Sequence, residues 1–157
     1  MNRQRLWSAT IFSLYSLLLP STVWSADEPV TSISLSEVTR SVCLQILQET
    51  VQQANETPDN KFWPAMHAAE ALTLAGHAED VRKALTRLLK TEKNDQHRCG
   101  LARELVRAGD RSQVAVMLNI LTRENSNGHV HACESLYKVN EIGDGIAMRQ
   151  AMQQTAN

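Results

Sequence analysis

The chain has 157 residues, is 43% hydrophobic and 4% aromatic, and carries 16 Lys and Arg against 17 Asp and Glu for a net charge of −1. That is one domain's worth of material, long enough for a core and too short for two ordinary domains. Bases and acids are interspersed, which excludes the concentrated Lys/Arg surface that a grip on nucleic acid requires.

Residues 1–26 have the three-part layout of a secretory signal peptide. Arg3 and Arg5 precede a largely apolar run over residues 6–19 that includes Trp7, Ile11, Phe12, Leu17 and Leu18. Pro20 and Ser21 break the run, and the small residues Ser25 and Ala26 follow, so cleavage is expected after one of those two. The run, about 14 residues, is shorter than the roughly 20 that span a bilayer. No cysteine follows it for lipidation, and no later segment is apolar enough to cross a membrane. The reading is an exported chain, periplasmic or extracellular, with no membrane span in its mature form. Loss of Arg3 and Arg5 would leave 14 basic against 17 acidic residues, a net charge of −3.

Residues 27–35 have no usable periodicity and read as a flexible leader. Residues 36–54 read as a capping helix with Val38, Val42, Ile46 and Val51 on one face, ended by a polar stretch containing Pro58. An array of repeats needs such a cover on its first exposed side.

Three segments then align, at residues 64–77, 97–110 and 128–141. Leu72, Leu105 and Leu136 fall in register, as do Ala69, Ala102 and Cys133, then Ala75, Ala108 and Val139, then Gly76, Gly109 and Asn140. Ala69, Leu72 and Ala75 recur at three-residue steps, which draws a narrow apolar stripe along a helix. The stripe is built mostly of small residues, which let a neighbouring helix approach closely. Gly76, Gly109 and Asn140 stand where a helix commonly ends in a left-handed residue. Each stop is followed by a second amphipathic segment: Val81, Leu85 and Leu88; then Met117, Leu118 and Leu121; then Ile146, Met148 and Met152. Asp110 or Ser112, and Asp144, are placed to cap the later two. The prediction is three helical hairpins at residues 62–92, 96–124 and 128–155, inside one domain over 36–157. The fold class is all-α, a short α-solenoid with an N-terminal capping helix.

The aligned segments resemble the short HEAT-like repeat named after phycobilisome lyases. The resemblance is carried by Ala68, Ala69, Glu70, Ala71 and Leu72 with Ala75 and Gly76, by Leu105 with Ala108, Gly109 and Asp110, and loosely by Cys133, Glu134, Ser135, Leu136 and Val139. It spans about half the chain and implies a fold rather than an activity. An arginine often found early in such helices occurs here as Arg98, while Ala65 and His129 stand at the other two places. Three hairpins are near the minimum for a stable array, so the chain reads either as a compact solenoid or as a piece of a longer product.

The unusual chemistry is an edge of histidines, His67, His97, His129 and His131, near the starts of the first helices. His131 and Glu134 are three apart and His129 and Cys133 four apart, so either pair shares a helix face. Zinc and copper accept imidazole, thiolate and carboxylate together, which makes His129, His131, Cys133 and Glu134 the candidate metal ligands. Their spacing is that of no closed metal motif, so the expectation is no cofactor. Cys43, Cys99 and Cys133 read as buried small hydrophobes, with a Cys99–Cys133 bridge as the alternative. Glu70 and Glu134, equivalent in the repeat, read as solvated or intrahelical partners rather than as an acid and base. Phe62 and Trp63 are expected to staple the capping helix to the first hairpin, and Met117, Met148 and Met152 to fill core gaps.

No phosphate loop, nucleophile elbow or His-Glu-x-x-His run is present. The functional expectation is therefore a non-enzymatic module that binds a protein partner. The alternatives are a metal- or cofactor-binding protein using the His/Cys edge, and an accessory segment of a larger enzyme.

Overall fold

The computed structural model describes residues 33–53 and 57–155. The expectations for the signal peptide, for leader residues 27–32 and for the end of the capping helix at residue 54 lie outside the described residues. Among those described there are seven α-helices, one short 3-10 turn and no strand. None of the helices is long and apolar enough to cross a membrane.

The first helix, α1 (Glu37–Gln52), starts because the Ser36 hydroxyl accepts from the Thr39 amide at 3.1 Å, satisfying one of the free donors of the first turn. It packs against α2 (Asp59–Leu74) and also touches α3 (Ala78–Thr91). Helix α2 starts three residues before the expected boundary. Pro64 lies inside it rather than at its opening. A proline that early removes only one bond, to the carbonyl of Asn60, which is exposed and solvated, so the helix passes through.

Three helices end in the same way. After α2, the Gly76 amide donates to the Thr73 carbonyl and the His77 amide to the Leu72 carbonyl, at 3.0 and 2.8 Å. After α4 (Asp95–Arg107) the pairs are Gly109 to Val106 and Asp110 to Leu105, and after α6 (His129–Lys138) they are Asn140 to Tyr137 and Glu141 to Leu136. These are three Schellman closures, each turning on a left-handed residue with φ of 88°, 99° and 57° at Gly76, Gly109 and Asn140. The repeated stop signal is thus the same hydrogen-bonded device each time.

A second helix follows each closure: α3, then α5 (Val114–Thr122) behind the 3-10 turn Arg111–Gln113, then α7 (Ile146–Thr155). Asp110 accepts from the Ser112 amide at the 3-10 turn, and Asp144 accepts from the Ile146 amide at 2.9 Å. Both act as the expected caps.

Helix α4 is the hub of the molecule, in contact with α2, α3, α5 and α6. Its Leu101 and Leu105, with Ala108 just past its end, join Leu47, Phe62, Met66, Leu72 and Leu85 in one core. Its Cys99, Ala102 and Val106 join Met117, Ile120, Ala132 and Leu136 in a second. The three register leucines, Leu72, Leu105 and Leu136, are all buried. Of the three methionines, Met117 is buried and Met148 packs on the second core, whereas Met152 is 66% exposed.

Candidate functional site

The beginnings of α2, α4 and α6 meet through their aromatic and imidazole rings. The Phe62 ring stacks on His97 with centroids 3.8 Å apart and 12° between planes. Trp63 lies edge-on to Phe62 and stacks on His131, at 5.3 Å and 20°. The two aromatics therefore reach forward to the second and third units. Their ring contacts tie α2 to α4 and α6, and the same two residues share a core with Leu47, Leu44 and Ile46 of α1. Gly100 makes the crossing possible: a Cβ there would stand 3.1 Å from Trp63 Cζ3 and 3.2 Å from Phe62 Cε1.

The four histidines do not form one exposed edge. His67 alone is well exposed, 3.7 Å from Glu70. His97 is buried between two carboxylates from different elements, with Nε2 2.8 Å from Asp59 Oδ1 and Nδ1 3.3 Å from Glu92 Oε2. His129 is buried at the start of α6 with Nε2 2.8 Å from the Arg123 carbonyl. That carbonyl can only accept, so Nε2 donates, and Nδ1 is buried with no hydrogen-bond partner among the described residues. Nδ1 of His131 is likewise buried and unpartnered.

The four metal candidates are engaged separately. His129 is tied to Arg123, His131 lies against Trp63, and Glu134 pairs with Lys138 at 2.6 Å, which holds its carboxyl below the usual range. Cys133 is half-buried against the second core, and desolvation raises its thiol pKa. Among the described residues no three His, Cys, Asp or Glu side chains gather where they could hold a common ion. Helical spacing put the pairs on one face, but neighbouring helices claimed each member.

All three cysteines are free thiols. Cys99 is buried and its pKa is pushed up to about 12, chiefly by desolvation. Its Sγ points at the Gly128 carbonyl, 3.9 Å away.

Two charge clusters had no signal in the sequence. Asp95, on the first turn of α4, takes Arg98 and Ser126 and also Arg123, and the Ser126 hydroxyl in turn accepts from the Gly128 amide. This network ties the linker between the second and third units onto α4. Further along α4, Arg103 and Glu104 are buried together with Nε and Oε1 2.6 Å apart. Arg107 joins Glu104 at 3.1 Å to Glu70 of α2 at 2.7 Å. Adjacent charged residues on a helix normally read as a solvated face, so nothing in the spacing marked this pair as internal. Glu70 and Glu134 end up with separate cationic partners.

Grooves open on the surface of the described residues. One, of about 640 Å³, lies between the ends of α2 and α4, with Thr73, Leu74, Ala78, Arg107 and Gly109 among its walls. Another, of about 400 Å³, lies between α1 and α3 and includes Leu44, Val51, Ala84 and Arg87.

No protein-family model, no curated protein and no solved structure matches this chain.

Proposed function

We propose that the helices form a short HEAT-like solenoid, exported from the cytoplasm, that works as a non-enzymatic scaffold binding a protein partner. The observation that carries the reading is the threefold Schellman closure at Gly76, Gly109 and Asn140, at the positions where the sequence repeats. Three units that stop alike are placed to stack alike, and α2, α4 and α6 contact one another in order. The second helices do not stack on one another: α3 rests on α4, and α3 and α5 do not touch. The central helix is therefore almost wholly internal, and the partner would be met at the ends of the stack.

At the last unit, Val130 and Tyr137 are 69% and 71% exposed. They are seven residues apart, so they share one face of α6. An exposed aliphatic and tyrosine pair flanked by the Glu134–Lys138 ion pair has the composition of an interface centre with a polar rim. The metal-binding alternative is weaker because its four residues are each engaged elsewhere.

The test is affinity capture from the envelope fraction with wild-type protein and with Val130→Asp and Tyr137→Ala, each checked for unchanged helical circular dichroism. The reading expects a reproducible partner that both variants lose. Capture that is the same for all three proteins, or no partner at all, would count against it.

A further inference from the structure

Helix α3 buries Val81, Leu85 and Leu88, which turns Lys83, Arg87 and Lys90 outward, all three exposed. Steps of four and three residues set these cations along one side of the helix, about a turn apart. Most cations elsewhere among the described residues are partnered: Arg40, Arg98, Arg107, Arg111, Arg123 and Lys138 each lie against a carboxylate. On α3 itself, Arg82 pairs with Glu79. Lys83, Arg87 and Lys90 have no carboxylate partner among the described residues.

Lys83 and Arg87 also form one wall of the groove of about 400 Å³ between α1 and α3. Leu44, Leu47, Val51 and Ala84 line the same groove, so an apolar floor runs beside an unneutralised basic rim. The two cations continue, with Arg82 and Lys90, into an open hollow over α3.

We infer that this groove docks an acidic amphipathic helix of a partner protein, with its aliphatic side chains on Leu44, Leu47, Val51 and Ala84 and its carboxylates on Lys83, Arg87 and Lys90. The surface is separate from that of Val130 and Tyr137, since neither α1 nor α3 touches α6. It stands or falls independently of that face.

Three observations select this occupant. The first is charge complementarity: α3 carries Arg82, Lys83, Arg87 and Lys90 against Glu79 and Asp80, in a chain whose net charge is −1. Glu79 is taken by Arg82, and Asp80 lies 4.0 Å from His77, so the rim cations lack a counter-charge among the described residues. Like charges one turn apart on a helix repel each other, and an anionic partner relieves that repulsion.

The second is shape. A groove between two packed helices accepts the side-chain ridge of a third. The rim cations recur with the helical period, so carboxylates at the same spacing on a partner helix meet them one for one. The third is what the lining lacks. None of its described residues is aromatic, so single-stranded nucleic acid finds no stacking platform, and one helix of cations is too short to track a duplex backbone. The apolar side chains are recessed between helices, with Leu47 buried, whereas a lipid surface takes apolar side chains that project.

The probe is a synthetic peptide of about 18 residues, long enough to hold a helix in water, with Leu at every third or fourth position and Glu on both flanks of that stripe. Its binding to the whole protein is followed by fluorescence anisotropy at about 50 and 300 mM salt, and its site by backbone amide shifts. The expected result is saturable binding that weakens with salt, with shifts centred on Leu44, Val51, Ala84 and Arg87. Lys83→Glu combined with Arg87→Glu, both at exposed positions, should weaken it about tenfold with unchanged circular dichroism. Replacing the peptide's Leu residues by Ala should weaken it by a similar factor. Absence of saturable binding, wild-type affinity in the double variant, equal binding of a scrambled peptide, or shifts centred on α6 would each overturn the inference. Tighter binding of a single-stranded oligonucleotide or of phosphatidylglycerol vesicles, lost in the same double variant, would also overturn it, since the groove would then serve another class of partner.

Discussion

Single side chains decide more of this structure than its polar composition suggests. Glu104 is fully buried and offsets both Arg103 and Arg107. Glu104→Ala would leave Arg103 as an uncompensated internal charge, and chemical denaturation should show a loss of about 3–5 kcal/mol. Three Gly→Ala substitutions should separate by mechanism. Gly128→Ala places a Cβ 2.7 Å from Ile120 Cγ2 and 2.8 Å from Asp95 Cβ, an overpacking cost of about 1–3 kcal/mol. At Gly100 the new methyl meets two aromatic rings at 3.1 and 3.2 Å, so the gain in helix propensity of about 1 kcal/mol is offset and the net effect is a smaller loss. Gly76→Ala meets no atom within 4 Å, and its cost, about 1–2 kcal/mol, is left-handed strain alone. Cys99, with its thiol held protonated up to about pH 12, should resist a thiol reagent at pH 8 until denaturant is added. The sign of the pH effect follows from the same burial. The folded state keeps this proton longer than the unfolded chain does, so the contribution is full below pH 9 and is lost as pH rises from 9 towards 12. Thermal melts across that window should fall, and should fall less for Cys99→Ala measured against its own neutral-pH value.

The helices and their stops were legible because both depend on local rules. Gly76, Gly109 and Asn140 announced their left-handed turns by residue type, and the structure closes each with the same pair of backbone bonds. Asn140 is the one member that tolerates φ > 0 at some cost, so Asn140→Gly should stabilise the third closure by up to about 1 kcal/mol. Ser36 and Asn94 cap α1 and α4 through their side chains, and replacing either by Ala should cost about 1 kcal/mol. What remained hidden was every feature that needed two elements at once. The carboxylate cradle of His97 draws Asp59 from the first turn of α2 and Glu92 from just after α3. The Trp63–His131 stack joins residues 68 positions apart over a glycine whose role is only to be small. The histidine edge failed as a group for the same reason, since each ring was claimed by a neighbour that spacing along one helix does not show.

At the scale of the whole molecule, the small stripe residues and the central burial of α4 belong together. Small side chains let α2 and α6 close over α4, and the two cores share that one helix. A molecule so built should lose its cooperativity from the centre: Leu105→Ala, at a fully buried α4 position, should cost about 2–5 kcal/mol and lower the unfolding midpoint of both cores together. The proposed stack rests on one ring contact that joins α2 to α6 across α4, the Trp63 indole against the His131 imidazole. A nuclear Overhauser spectrum of the protein tests the stack at that point. Cross-peaks between these two rings are the predicted result, and their absence in a sample that retains the Phe62–His97 cross-peaks would contradict the arrangement of the three units.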